Sequence, residues 1–315
     1  MDRQHPGPNP AGAHGHHDGA PRYCRRGFPF LGWKPSRTPP PETSHDVPDR
    51  PDHRHLLGHR PRNGPGVPRP RWNVVATMRN PHTEQELTSL DNVLVTRLDV
   101  TDQTSIDDAV ASTVAKFGGI DVLVNNAGYG AYGPLEAFTT SRIRKQFDTN
   151  VIGLLATTQA VLPHLRANRS GSVVNISSIG GRVAFPLGSL YHGTKFAVEG
   201  ISESLHYELA PLGIKVKIVE PGAIATDFTG RSLDFANDES LTDYQPTVRK
   251  VYAGFEKVLT TAAPPAAVAD VIVTAVTDGT DQLRYTAGDD AKAALSSRAT
   301  TDDTVIAGVK AQFTL

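Results

Sequence analysis

Ser178, Tyr191 and Lys195 lie thirteen and then four residues apart. Residues four apart on a helix share one face, a single turn from each other. A lysine ammonium that close favours tyrosinate and draws the phenol below its ordinary value near ~10. The phenol then becomes an acid and base usable near neutral pH. A serine hydroxyl at the end of a neighbouring strand can hold a carbonyl or alcohol oxygen beside it. Together these groups suit proton transfer coupled to hydride transfer at a carbon that carries oxygen. A Tyr-x-x-x-Lys pair alone is also an ordinary surface pair on a helix, so the elements around it decide.

Those elements are readable from Trp72 onward. Trp72 to Thr77, Asn92 to Val100, Ile120 to Val124, Ser172 to Ile176 and Ile214 to Glu220 are short, β-branched apolar runs that predict strands. Residues 103–117, 139–166, Tyr191 to Leu212 and Ala266 to Val276 carry helical periodicity, and Leu283 to Thr286 predicts a last strand. Short apolar strands alternating with helices imply right-handed crossovers and a parallel sheet. The expected fold class is α/β, a doubly wound, Rossmann-like sheet.

Composition divides the 315-residue chain in two. Residues 1–71 hold 15 of its 24 prolines and 8 of its 12 histidines. Such a stretch buries too little apolar surface to offset its ordering entropy. Two regions are therefore expected: 1–71, disordered or read out of frame, and 72–315, the Rossmann-like domain. The formal charge of −1 gives no reason to expect a nucleic-acid partner or an anionic membrane. Cys24 is the single cysteine, which fits a reducing compartment, and no apolar run approaches the ~20 residues of a membrane span. A cytoplasmic protein is expected. His82, His164, His192 and His206 show no metal-ligand spacing; His14, His16 and His17 read as a disordered tail, with adventitious metal binding as the alternative, and no metal site is expected.

Four landmarks appear in order: Asn125-Asn126-Ala127-Gly128, Asn150-Val151-Ile152-Gly153, Ser178 with Tyr191 and Lys195, and Pro221-Gly222-Ala223-Ile224-Ala225-Thr226. They resemble the NNAG, NxxG, Ser/YxxxK and PGxIxT segments of the short-chain dehydrogenase/reductase family, over roughly 72 to 290. The resemblance implies a hydride-transferring enzyme using NADP, with NAD as the alternative cofactor, on a small-molecule carbonyl or alcohol. It implies Tyr191 as general acid/base, Ser178 (rather than Ser177) as the oxygen holder, and Lys195 as the residue that lowers the phenol and binds the nicotinamide ribose. Asn150 would hold a water linking Lys195 to solvent, or else be a buried asparagine satisfying backbone. Asn126, Ala127 and Gly128 would lie along the cofactor, and Pro221, Gly222, Ile224 and Thr226 beside its nicotinamide. Asp99-Val100 would lie over the adenine, with a helix cap as the competing reading of Asp99. Arg79 follows Met78 where an acidic residue would select NAD. An arginine there accommodates a 2′-phosphate, unless it is a plain surface residue. Residues 227–256 would form a substrate lid, and the family commonly forms homodimers or homotetramers. Val183, Phe185, Pro186 and Tyr132 either line an apolar pocket or pack loops.

One expected part is missing. A doubly wound sheet binds a dinucleotide with its first strand and a glycine-rich turn. The family's TGxxxGxG should begin near position 53, where the chain reads His53-Arg54-His55-Leu56-Leu57-Gly58-His59-Arg60. Back-translated with GC-rich codons and read one nucleotide later, Arg50 to Arg60 become Val-Leu-Ile-Thr-Gly-Thr-Ser-Ser-Gly-Ile-Gly. The seven positions after Arg60 become Arg-Ala-Thr-Ala-Leu-Ala-Phe. Each hidden glycine needs G in the second place of the present codon, and Arg54, Gly58 and Arg60 supply it. Either the frame is shifted here, or a genuine proline-rich head sits on a fold without its central strand. In the latter case neighbouring ladder groups would be left unpaired.

Overall fold

Among the described residues seven strands form one sheet, in the order Val93–Arg97 (β3), Trp72–Met78 (β2), Phe30–Pro35 (β1), Val122–Asn125 (β4), Gly171–Ile176 (β6), Ile214–Pro221 (β7) and Arg284–Ala287 (β9). The computed structural model describes residues 30–35, 72–226, 228, 232–298 and 300–314. The expectation for 1–71 therefore lies largely outside the described residues, as do parts of the expected lid near 227–231.

The expected strands appear as β2 (Trp72–Met78), β3 (Val93–Arg97), β4 (Val122–Asn125), β6 (Gly171–Ile176), β7 (Ile214–Pro221) and β9 (Arg284–Ala287). Neighbours β2–β3, β4–β6, β6–β7 and β7–β9 are parallel. Side chains alternate across the pleat. Val75, Leu123 and Val173 point to one core layer, with Ala109 and Val110 of α1 (Gln103–Phe117) and Val161 and Leu165 of α3 (Gly153–Asn168). Val74, Val122, Val124 and Val174 point to the other, against Val268, Val271 and Ile272 of α6 (Pro265–Thr277). Strands covered on both faces need apolar residues at consecutive positions, hence their unbroken apolar runs.

The centre of the sheet differs from expectation. β1 (Phe30–Pro35) lies between β2 and β4 and runs antiparallel to both. Phe30 pairs with Ala76 and Val124, whereas Pro35 pairs with Trp72. The buried ladders of β2 and β4 demand hydrogen-bond partners, and an extended Phe-Leu-Gly-Trp run from far upstream meets that demand. Pro35 sits at the strand end, where its missing N–H costs least. The neighbouring ladders thus have partners, but no parallel first strand and no glycine-rich turn occur among the described residues.

The helical stretch predicted over 139–166 is interrupted. α2 (Thr140–Phe147) passes through a π-helical turn, Asp148–Ile152, into α3. α4 (Ser189–Leu209) carries Tyr191 and Lys195, continues as a 3-10 turn over Ala210–Leu212, and stops at left-handed Gly213. A small second sheet pairs β5 (Gly130–Tyr132) with β8 (Leu233–Phe235). α5 (Gln245–Leu259), α7 (Asp289–Ser297) and α8 (Asp302–Phe313) complete the order. The sequence reading had not assigned β5, β8, α5, α7 or α8. No helix among the described residues is long and apolar enough to cross a membrane.

Candidate active site

β4, β6 and β7 deliver Asn125, Ile176 and Pro221 to the same rim of the sheet. There α4 brings Tyr191 and Lys195 beside Ser178, as their spacing predicts. The two helix residues lie in the interior, Tyr191 and Lys195 being 8% and 9% exposed, whereas Ser178 is half-buried. Lys195 Nζ donates to the carbonyl of Ile176 at 2.8 Å and stands 5.8 Å from the Tyr191 ring centroid. Ser178 caps a 3-10 turn, its Oγ accepting from Gly180 N at 3.0 Å, and it also hydrogen-bonds Tyr191.

The phenol does not behave as the spacing suggested. Burial raises the pKa of Tyr191 above its ordinary value, and the Ser178 hydrogen bond opposes this only in part. Burial also lowers Lys195 to about 8, with the Glu199 charge acting against it. The correction has a simple cause: the ammonium is turned to a backbone carbonyl, and desolvation of the phenol outweighs its influence.

Asn150 lies in the π-helical turn and is 2% exposed. Its Nδ2 donates to Tyr129 O at 2.9 Å and Thr194 Oγ1 at 3.1 Å, and its Oδ1 accepts from Tyr129 N at 3.1 Å. These partners correspond to the alternative of an asparagine satisfying backbone. Gln146, one turn earlier, was missed by sequence reading. It is wholly buried and holds Ala131 N at 2.6 Å and Tyr129 O at 3.0 Å. Its four-residue spacing from Asn150 was the available signal. Together the two amides fix the chain just after Gly128, whose own Cβ would stand 3.2 Å from Asn150 Oδ1.

The predicted cofactor residues line the same rim. A narrow cleft is walled by Leu98, Val100, Asn125, Asn126 and Ala127. Gly153 lets α3 approach Val100, since a Cβ there would sit 2.7 Å from Val100 Cγ2. Arg79 is exposed just beyond β2. Burial pushes the Asp99 carboxyl up, but hydrogen bonds from Thr101 and the charges of Arg79 and Arg97 leave it below its ordinary value. Asp99 does not cap the next helix; Asp102 does, accepting from Ser105 N. Pro221 is buried, and Gly222, Ile224 and Thr226 are half-buried after β7. Gly222 packs against the Asp290 carboxylate, which accepts from Ala223 N at 2.7 Å.

The rim as it stands is tight for a dinucleotide. The cleft between Val100 and Ala127 holds only about 10 Å³ of free space, and the Asp290 carboxylate lies against Gly222. The pyrophosphate does not find its usual partner. β1 runs antiparallel, so it reaches this rim with its amino end at Phe30, and the chain leaves Pro35 at the opposite edge. Among the described residues no helix N-terminus follows it at this rim, and helix N-terminal amides are what such a cradle uses.

Aromatic rings close around the phenol. Tyr132 and Phe228 lie 5.4 Å and 5.7 Å from Tyr191 by centroid. Phe255 of α5 packs on Tyr132 at 5.3 Å, and Phe313 of α8 on Phe255 at 6.0 Å. Of the pocket candidates, Tyr132 and Val183 are buried, whereas Phe185 and Pro186 are half-buried. Phe313 could not be found from sequence, because nothing local marks a distant helix as a neighbour of Phe185 and Phe255.

The profile of the short chain dehydrogenase family matches residues 71–236, and the chain belongs to that family. It is 44% identical over 226 residues to an uncharacterised oxidoreductase of Schizosaccharomyces pombe, spanning 72% of this chain and 94% of that protein. It is 36% identical over 235 residues to the uncharacterised oxidoreductase YusZ of Bacillus subtilis, spanning 71% and 84%. A short-chain dehydrogenase of Streptomyces avermitilis superposes with a TM-score of 0.65 at 36% identity, over 75% of this chain and 85% of that one. ElxO with NADP bound superposes with 0.54 at 28% identity, over 68% and 87%. The protein is thus a short-chain dehydrogenase-type oxidoreductase.

His192, next to Tyr191, is a pH-sensitive part of this site. Its Nδ1 lies 2.9 Å from Gly180 O, a carbonyl that can only accept, so Nδ1 carries the proton. Nε2 is buried without a partner, and burial depresses the ring to about 4. The unfolded chain therefore binds a proton at higher pH than the folded one. The stability that neutral His192 contributes is present above pH ~6.5 and lost as pH falls through about 4, up to on the order of 3 kcal/mol. Urea unfolding from pH 7 to 4 is expected to show this loss, and His192→Gln is expected to flatten it. Equal slopes in the two proteins would contradict the assignment.

Proposed function

We propose that the protein is an NADP(H)-dependent oxidoreductase acting between a nicotinamide and a small-molecule carbonyl or alcohol. The observation that carries this is the convergence of Ser178, Tyr191 and buried Lys195 at the rim where β4, β6 and β7 end. A nicotinamide bound there supplies or accepts hydride. Ser178 Oγ holds the substrate oxygen, and Tyr191 Oη gives it a proton in reduction or takes one in oxidation. A phenol raised by burial stays protonated at neutral pH, which suits the donor role. Lys195 is the cation beside it and the ribose contact. Asn126, Ala127 and Gly128 carry the cofactor's length, with Val100 and Asp99 at the adenine. Pro221, Gly222, Ile224 and Thr226 carry the carboxamide side. Arg79 beside Asp99 favours a 2′-phosphate and hence NADP over NAD, in keeping with the NADP bound to ElxO.

Residues 227–256 serve as the substrate lid in this reading, because Phe228 covers Tyr191 and α5 supplies Phe255. Phe147, Ile152, Phe196 and Tyr207 are exposed apolar side chains on α2, the π-helical turn and α4, which supports pairing of copies through these helices. The single cysteine supports a reducing, cytoplasmic setting.

The antiparallel centre of the sheet favours a second reading of the chain as written: a family member impaired in cofactor binding because its phosphate cradle is out of frame. The shifted text reads on without a gap toward β2, the first strand of the family match. Upstream, His45 followed by Asp46 can yield ATG in the same frame, a start codon five residues before Val-Leu-Ile-Thr. Trypsin digestion of the protein from its natural source decides the matter by mass spectrometry. The shifted frame is expected to give a peptide ending VLITGTSSGIGR. Recovery of HLLGHRPR, residues 55–62, would instead make the proline-rich head genuine.

The catalytic assignment is tested separately. Tyr191→Phe is expected to lower turnover of a carbonyl substrate by about 10²–10⁴-fold with an unchanged circular dichroism spectrum. Undiminished turnover would remove Tyr191 as acid and base.

A further inference from the structure

Five charged side chains gather around the helical turn that follows Lys195. Glu199 stands one turn along the same face of α4 and is 5% exposed. Its Oε2 accepts from Arg284 Nε at 3.0 Å. Arg284, on β9, also reaches Glu203 of α4 at 2.7 Å and lies 3.7 Å from Glu220 of β7. Arg182, from the loop after Ser178, donates to Glu220 at 3.0 Å. Arg298 lines the same shallow depression, but it pairs with Asp302.

Three carboxylates, Glu199, Glu203 and Glu220, face two guanidiniums, Arg182 and Arg284. With the Lys195 ammonium the charges of the cluster sum to zero, Glu203 being partly exposed and Glu199 and Glu220 buried, and a buried charge without compensation is costly. Glu199 Oε1 is buried without a hydrogen-bond partner, so Arg284 answers only half of that carboxylate. Gly181 lets the Ser178 loop close on this turn: a Cβ there would stand 3.0 Å from Glu199 Cγ and 3.0 Å from Lys195 O.

We propose that Glu199 is a positioning residue for Lys195, its carboxylate anchored by Arg284 and keeping the lysine as an ammonium beside Tyr191. Burial alone drives Lys195 toward the neutral amine, and the charge of Glu199 opposes it. Burial and that same charge raise Glu220. The catalytic consequence rests on the proposed acid–base role of Tyr191; the charge relation does not.

The test is a titration of the full chain labelled with ¹⁵N,¹³C-lysine, the Lys195 signal being assigned by its loss in Lys195→Arg. The native signal is expected to titrate near 8. Glu199→Gln is expected to move it down by about one pH unit, the scale of a single charge one helical turn away. Arg284→Gln removes a positive charge and is expected to move it up, so the two variants carry opposite signs. Glu199→Asp is expected to restore most of the native value. An unchanged Lys195 midpoint in whichever of the Gln variants folds would overturn the proposal. If Tyr191→Phe keeps its turnover, the acid–base reading fails while this titration still decides the charge relation.

Discussion

Everything at this site depends on keeping a cation inside the protein. Lys195 is buried on α4 and bonded to the backbone at the end of β6. A buried ammonium is tolerated only with hydrogen bonds and opposite charge near it. That requirement ties α4 to the rim of the sheet, places Tyr191 beside Ser178, and accounts for the glutamates and arginines from α4, β7, β9 and the loop after Ser178 that converge one turn away. The rest of the fold serves as the frame: two apolar layers clamp the strands so that their ends stay in register.

The centre of the sheet shows how strongly a ladder demands a partner. The gap between β2 and β4 is filled by Phe30–Pro35 running the wrong way. Backbone hydrogen bonding is indifferent to where a strand came from, so an extended segment from far upstream can satisfy it. Direction still matters for chemistry. A parallel strand would hand the chain to a helix at the functional rim, whereas an antiparallel one carries it to the opposite edge. The sheet is repaired as a structure without being repaired as a dinucleotide cradle.

The strands were legible because parallel, doubly covered strands must be apolar at consecutive positions, and Val74-Val75 or Val173-Val174 can hardly be anything else. Helices α1, α3, α4 and α6 followed from periodicity and from Gly118 and Gly213 as stops. The convergence of Ser178, Tyr191 and Lys195 was also legible, since one spacing places two of them on a helix face and the crossover brings the third. Electrostatics was not: the spacing suggested a lowered phenol, but burial depends on Tyr132, Phe228 and Phe255, which are far apart in the chain. Gln146 and Phe313 were hidden for the same reason. β1 was unreadable because its pairing is set by a vacancy elsewhere and not by its own pattern.

The most direct measurement is a fluorescence titration of the purified full-length chain with NADPH. The rim gathers Val100, Asn125, Asn126 and Ala127, and no helix terminus follows β1 there among the described residues. Saturable binding, weakened when Lys195 is replaced by Met and unchanged by replacing a remote surface lysine such as Lys310, is the result the account predicts. Binding that ignores Lys195, or no saturable binding even after a glycine-rich first strand is restored, would contradict it.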